Sequence, residues 1–317
     1  RRGTAHAVQV AADVLEDGPF VVLNGDALYD QGSLNDLYAA NQAAVGSYEV
    51  ANPGDYGVLE LEDGLVRTVI EKPADPPSAL INTGAYVFPA EAQSFLDVET
   101  SERGELELTD VLDRTCETHD VRAVTFSRWL DVGRPWELLE ANEWKLGELE
   151  RRLEGEVHES AEIEGPVVVE SGARIRSGVV IEGPALIESG AAVGPNAYVR
   201  GASLIGENVN VGHAVEIKNS VLMEETSVGH LSYVGDSVLG RNVNFGAGTT
   251  VGNLRHDGAD VTLRVKGERV STGRRKFGVV CGPGVNTGIN TSLNAGITLP
   301  ADSGTHPGAA VLHDPDS

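Results

Sequence analysis

His230 stands in VGHLSYVGDSVLGRNVNFGAGT (228–249), where an aliphatic or aromatic residue is repeatedly followed by glycine. Between those pairs sit Tyr233, Asp236, Asn242 and Asn244, residues too polar for a core. An imidazole has an unperturbed pKa of about 6.5, so a histidine here can accept a proton near neutral pH. A lone histidine at a corner also reads as a solvated turn residue. The first half of the chain offers a second chemistry. Asn24-Gly25-Asp26 closes the apolar run FVVL, and a carboxylate just past a glycine is well placed to hold a hard cation. Asp131 follows Trp129 and Leu130, which read as ordinary core. Taken alone, each aspartate also reads as a strand-end cap. Between them lie Tyr56-Gly57, Glu71-Lys72-Pro73 and Asn82-Thr83-Gly84.

The elements that must position these residues follow two grammars. From about residue 154 the apolar period is six, from Val157, Ile163, Val169 and Ile175 through Val211 and Ile217. After one-residue slips it resumes at Leu222, Val228 and Val234, then at Leu239, Phe245 and Val251. It returns at Val279, Val285 and Ile297. Period six is neither helical nor that of a long strand. It predicts a coil of three short strands per turn, each aliphatic side chain stacking on its equivalents in a narrow interior. Residues 254–278 interrupt the period and concentrate Arg255, Arg264, Lys266, Arg269, Arg274, Arg275 and Lys276. Two readings stand: a solvated hairpin, or a cationic arm that receives an anionic ligand such as a sugar phosphate or coenzyme A.

Residues 1–153 alternate helix and strand patterns, giving a boundary near 153 with the coil at 154–317. Ala5, Val8, Ala12 and Leu15 fall on one helical face. FVVLNGD (20–26) reads as a buried strand and SLNDLYAANQ (33–42) as a capped helix. A hairpin around Asp63-Gly64, a strand at 81–89 and a long helix over 134–153 complete an α/β order.

The net charge of −24 disfavours nucleic acid as a partner, because phosphate backbones need clustered Lys and Arg. The acids are spread along the chain, as expected for a salt-adapted cytoplasm where ionic strength screens self-repulsion. Apolar residues make up 41%, yet no run has the length of a membrane span, so no membrane partner is expected. Aromatics are only 5% against 38 glycines, which suits thin repetitive β-structure. Cys116 and Cys281 fit no metal spacing and read as reduced thiols of a cytoplasmic protein.

The ordered set GTAHA, NGD, YG, EKP, NTG, WLDVG and LLEAN resembles the sugar-1-phosphate nucleotidylyltransferases over residues 3–145, nearest the thymidylyl- and uridylyltransferase branch. The resemblance implies a Rossmann-like α/β domain in which Asp26 and Asp131 hold Mg²⁺. It places Gly3 and Thr4 near the nucleobase, Gly57, Glu71 and Asn82 on the sugar, and Lys72 on the sugar phosphate. Such a site transfers a nucleotidyl group from a nucleoside triphosphate, UTP or dTTP, to a sugar-1-phosphate. The family's leading Gly-x-Gly-Thr-Arg loop with its lysine would precede residue 1. The chain is therefore expected to be part of a longer enzyme, with nucleotidyl transfer belonging to the full-length form.

YVRGASL, VGHAVEIKNSVL, VGHLSYVGD and NVNFGAGT are similar to the acetyltransferase half of the bifunctional enzymes of UDP-N-acetylglucosamine synthesis, archaeal type, with a left-handed parallel β-helix. The resemblance makes His230 the general base, with Arg200 and Lys218 on the sugar phosphate. Tyr233 and Asn244 hold the sugar, Asn253 lies nearby, and Glu216 orients the basic residues. A backbone amide near Ala247 meets the thioester oxyanion of acetyl-CoA. His213 is expected to be a corner residue or a neighbour of the site. Such coils associate as trimers or multiples of trimers. The implied reaction is acetylation of glucosamine-1-phosphate or galactosamine-1-phosphate. The competing expectations are a monofunctional glucose-1-phosphate thymidylyl- or uridylyltransferase whose β-helix is structural or regulatory, and a non-catalytic trimerisation scaffold.

Overall fold

A computed structural model describes residues 2–101 and 103–315. Two compact units divide between Val132 and Gly133.

In the first unit, helix α1 (Thr4–Ala11) buries Ala5 and Val8, as its apolar spacing requires. The strands are β1 (Phe20–Leu23), β2 (Ala27–Tyr29), β3 (Ala44–Glu49), β4 (Gly57–Glu62), β5 (Leu65–Glu71), β6 (Leu80–Phe88), β7 (Arg122–Thr125) and β8 (Trp129–Asp131). Six of them form a sheet in the order β1-β6-β3-β7-β5-β4, and β2 pairs with β8 outside it. Of the pairings in that sheet, β3 with β7 is parallel and the others are antiparallel. Helix α2 (Gln31–Tyr38) starts earlier than its apolar pattern indicates, because Asp30 caps it by accepting the Ser33 N–H at 2.9 Å. The hairpin between β4 and β5 turns on Asp63 and Gly64, with φ of 53° and 82°, the left-handed pair that a two-residue loop demands. Helix α3 (Leu108–Thr118) packs Leu108, Val111 and Leu112 with Leu59, Val69 and Phe88 in one core.

The second unit is a parallel β-solenoid, the β-helix expected from the hexapeptide period. Val157 pairs with Ile175 and Ile175 with Val193, so successive coils are three hexapeptides apart. Its strands stack in three parallel sheets of six, eight and eight. Val169, Ile187, Ile205, Leu222 and Leu239 are all fully buried in the interior column. Burying each such side chain contributes about 1.5–3 kcal/mol, and each rests on its equivalents above and below.

Helix α4 (Pro135–Gly147) lies in this second unit, so the compact division falls earlier than residue 153. Trp136 and Leu139 share a cluster with Val221 and Val238 of the coil and Phe277 of the insertion, which explains the assignment. The helix ends at Gly147, and Arg152–Leu153 already pairs in the coil with Val168 and Val169. The long helix expected over 134–153 is thus shorter, and the coil starts two residues sooner.

The insertion is a hairpin, Thr262–Val265 against Glu268–Ser271, turning on Lys266 and Gly267. It is packed rather than merely solvated: Val261, Leu263 and Phe277 are buried. Arg274 pairs with Glu143, and Arg269 lies 3.3 Å from Asp314. Both cysteines are free, Cys281 in the coil interior and Cys116 partly buried with its thiol pushed up to about 12 by burial. Among the described residues no helix is long and apolar enough to cross a membrane.

Candidate functional sites

In the first unit, the NGD and NTG motifs meet although they are far apart in sequence. The Asn24 N–H donates to the Gly84 carbonyl at 2.8 Å. Gly84 has φ 75°, and a Cβ there would lie 2.2 Å from the Asn24 amide, so only glycine lets the two segments close. Asp26 and Asp131 are brought together by the β2–β8 pairing. Ala27 is the register partner of Asp131, and the Val132 N–H donates to the Asp26 carbonyl at 2.8 Å. Burial raises the Tyr29 phenol, and the charges of Asp26 and Asp131 add to that shift. Two carboxylates that start from neighbouring backbone positions, with phosphate oxygens supplied by a ligand, are a donor set that would suit Mg²⁺. No cluster of three or more His, Cys, Asp or Glu able to hold a metal occurs among the described residues, so the protein's share would be these two.

Asp26 and Thr4 line one cavity of about 440 Å³ with Val22, Leu23, Asn24 and Leu108. Thr4 also has a local task, because its Oγ1 accepts the Leu108 N–H at 2.9 Å. Gly3 lies against Leu106, whose carbonyl accepts the Ala5 N–H at 2.9 Å.

Gly57, Glu71 and Asn82 also converge. Gly57 is the register partner of Glu71, and Val58 beside it pairs with Ile81. Lys72 follows in a left-handed turn of φ 45°, its N–H on the Tyr56 carbonyl at 3.0 Å. Asn82 Nδ2 donates to Tyr86 Oη at 2.7 Å, while its Oδ1 accepts the Gly84 N–H at 2.9 Å. Partial burial raises the Glu71 carboxyl; Arg103, 3.6 Å away, opposes this and Glu107 adds to it. Arg103 and the buried Glu107 pair at 2.9 Å. Sequence reading missed this pair, since SERGELE carries no period and reads as a loop. Trp129, read as core, is only half-buried; its indole N–H donates to the Thr83 carbonyl at 3.0 Å and its ring meets Tyr56 edge-on at 5.7 Å.

In the coil, one sheet carries most of the second constellation. Arg200 and Lys218 are register partners, with Gly235 next in the same row. Tyr198, Glu216 and Tyr233 form the parallel row beside it. Arg200 Nε donates to Glu216 Oε1 at 2.8 Å. Asn253 Nδ2 donates to Tyr233 Oη at 3.1 Å. Burial, with Asp236 and Glu216 nearby, raises the Tyr233 phenol. Gly235 is needed because a Cβ there would sit 2.4 Å from the Tyr233 hydroxyl and 2.8 Å from the Asn253 amide.

His230 ends the preceding strand, Ser227–His230, at the corner leading into this sheet. It is exposed, and His213 is its register partner one coil before. The corner is built by Leu231 at φ 49°, with Ser232 Oγ and the Gly248 N–H both donating to the His230 carbonyl. Ala247 begins the same corner one coil on. Asn244 is exposed on the adjoining sheet, in register with Ser227. Asp236, missed by the sequence reading although it stands inside HLSYVGD, binds Lys218 Nζ through both oxygens at 2.9 and 2.7 Å.

An α/β unit with paired strand-end aspartates, joined in one chain to a hexapeptide coil whose polar face carries Arg200 and Lys218, defines a two-part transferase. Residues 1–147 match the family described as nucleotidyl transferase, and residues 181–303 the one described as GMPPB C-terminal domain. A bifunctional sugar-1-phosphate nucleotidylyltransferase/acetyltransferase of Sulfurisphaera tokodaii is 41% identical over 300 residues, 93% of this chain and 75% of that protein. The bifunctional protein GlmU of Methanocaldococcus jannaschii is 40% identical over 319 residues, 99% and 76% of the two chains. The low-salt glycan biosynthesis nucleotidyltransferase Agl11 of Haloferax volcanii is 35% identical, covering 77% and 71%. The chain belongs to the family of bifunctional sugar-1-phosphate nucleotidylyltransferase/acetyltransferases.

Proposed function

We propose that the coil acetylates the amine of glucosamine-1-phosphate or galactosamine-1-phosphate from acetyl-CoA, and that the α/β unit joins a sugar-1-phosphate to a nucleotidyl group from UTP or dTTP. The observation that carries the reading is the coil face, where Arg200, Lys218 and Tyr233 share one sheet beside the His230 corner and Asn253, just past the sheet's next strand, donates to Tyr233 Oη. Arg200 and Lys218 meet the phosphate with charge-assisted hydrogen bonds, and Tyr233, Asn244 and Asn253 hold the sugar. His230 takes the amine proton as the nitrogen attacks the thioester carbonyl. The C–S bond then breaks and coenzyme A leaves as thiol. Such base assistance is worth about 10²- to 10⁴-fold. The backbone amide near Ala247 faces the oxyanion.

In the α/β unit an oxygen of the sugar phosphate attacks the α-phosphorus and pyrophosphate leaves. Mg²⁺, when bound, neutralises phosphate charge and aligns the displacement, and Asp26 and Asp131 would hold it. Gly57, Glu71 and Asn82 grip the sugar, Lys72 the phosphate, and Gly3 and Thr4 the nucleobase end. The assembly is a homotrimer or a multiple of it, in the cytoplasm.

A substrate panel that follows free thiol and pyrophosphate separately tests the reading. Thiol release that requires an amino-sugar phosphate is the expected result. Pyrophosphate release with neutral sugar phosphates and no thiol release from any amino sugar would replace it with a monofunctional nucleotidylyltransferase. Silence in both assays would leave a scaffold.

A further inference from the structure

Asp236 is a buried carboxylate whose two oxygens are shared among three side chains. Oδ1 accepts from Lys218 Nζ at 2.9 Å and from Asn219 Nδ2 at 3.1 Å. Oδ2 accepts from Lys218 Nζ at 2.7 Å and from Asn253 Nδ2 at 2.5 Å. The residue is 3% exposed, so its charge depends on these partners rather than on water. Asn219 has two amide hydrogens: one goes to Asp236 and the other to Glu143 Oε1 on α4, at 2.8 Å. Glu143 is gripped in turn by Arg274 from the base of the inserted hairpin, with Nη1 to Oε2 at 3.2 Å and Nη2 to Oε1. Arg274 is itself fixed, since its carbonyl accepts the Val261 N–H at 2.9 Å and lies 3.3 Å from the Thr272 hydroxyl.

A continuous row therefore runs from Arg274 through Glu143, Asn219 and Asp236 to Lys218. Two cations stand at its ends and two carboxylates inside, bridged by one amide. Asn219 and Asp236 sit in a corner column at φ 46° and 51°, a conformation that Asn and Asp tolerate through their short polar side chains. The column fixes where their side chains begin, and the row fixes where they end.

We propose that Glu143 and Arg274 are positioning residues for Lys218, so that α4 and the inserted hairpin set the affinity for the phosphate of the amino-sugar substrate. The proposal rests on the reading of Lys218 as a phosphate contact. Asp236 takes part of the ammonium's donor capacity and leaves the rest for the ligand. Without Arg274 or Glu143, Asn219 can turn away, Asp236 loses a donor, and the ammonium is no longer held in one direction. The effect is specific: it concerns the substrate's phosphate, not its amine or the acetyl donor.

The test is acetyl-transfer kinetics on folded Arg274→Ala, Glu143→Ala and Glu143→Gln, with KM measured for the amino-sugar phosphate, for the same amino sugar without phosphate, and for acetyl-CoA. Arg274→Ala and Glu143→Ala should raise KM for the phosphorylated substrate about 3- to 10-fold, the scale of coupling between residues in one polar network. KM for the other two and kcat should stay within about twofold on the same reasoning. Glu143→Gln keeps an acceptor for Asn219 and should recover part of the loss. In a Lys218→Ala background, Arg274→Ala should add nothing, because the group it positions is gone. Parental KM in Arg274→Ala and Glu143→Ala, equal increases for substrates with and without phosphate, or full additivity with Lys218→Ala would each overturn the proposal. Lys218→Ala alone guards the underlying reading: if its KM is parental, Lys218 is not the phosphate contact. If Arg274→Ala fails to fold, Glu143→Gln and Arg274→Lys carry the same comparison.

Discussion

The coil and the α/β unit assemble their sites by different routes. In the coil, Arg200, Lys218 and Gly235 are register neighbours in consecutive turns, so a site residue's place follows from its phase in the repeat. In the α/β unit, Asp26 reaches Asp131 and Gly57 reaches Asn82 only because non-consecutive strands pair. A coil site is a row on a ruler, whereas an α/β site depends on topology that no local period announces. Substitutions in the two units should accordingly separate cleanly, in function and in stability.

The largest expected effect is that separation in activity. His230→Ala should lower acetyl-transfer kcat by about 10²-fold or more, with amino-sugar KM less affected, and leave pyrophosphate release intact. Raising the pH should partly rescue it, because more of the substrate amine is then already neutral. Asp26→Asn and Asp131→Asn should suppress Mg²⁺-dependent pyrophosphate release and spare thiol release. Equal loss of both activities in any of these folded variants would break the division. His213→Ala is the finer control. It sits directly before His230 in the column, and the mild effect expected would show that the reaction needs His230 and not its column neighbour.

Legibility followed the same divide. The interior column from Val169 to Leu239 could be read residue by residue, since six-residue spacing puts each aliphatic side chain at the same phase of a coil. The Asp63-Gly64 hairpin was equally plain, because its turn chemistry is local. The reach of α4 was not: RPWELLEANEWKLGELERRL is helical in composition throughout, and only packing of Trp136 and Leu139 with the coil assigns it to the second unit. The site residues missed share a cause. Asp236 reads only as a polar residue between the aliphatic-glycine pairs, whereas its partner Lys218 stands 18 residues before it; Arg103 reaches Glu71, and Glu143 reaches Arg274, far along the chain. Long-range ion pairs leave no periodic trace.

A medium-sized effect concerns stability. Ile217 is fully buried in the coil, and Ile217→Ala should cost about 2–5 kcal/mol in the unfolding transition of the coil. Leu59, fully buried in the sheet, offers the counterpart in the first unit. Calorimetry on the two variants should show Ile217→Ala lowering one transition and Leu59→Ala the other. A single transition moved equally by both would mean that the units unfold as one.

The smallest effect is electrostatic and belongs to the α/β unit. The Glu71 carboxyl is raised above its ordinary range, chiefly by burial and further by Glu107, with Arg103 opposing. A raised carboxyl pKa means that the folded state holds the proton more tightly than the unfolded chain. The contribution to stability is then fully present below the ordinary glutamate pKa and is lost as the pH rises through the folded value. Glu71→Gln stays neutral at every pH, so the variant's melting temperature should gain on the parent's across that window and level off above it. Below the ordinary glutamate range the difference should be independent of pH. The shift should be small, because the side chain is still 34% exposed and water screens much of the charge. Glu71 is also the proposed sugar contact, so nucleotidyl transfer should fall in the same variant while stability at neutral pH rises. A variant whose stability instead falls behind the parent's as the pH rises would show that the Arg103 attraction outweighs burial. Glu71 would then be held as an ion pair, not as a carboxyl poised for a sugar hydroxyl.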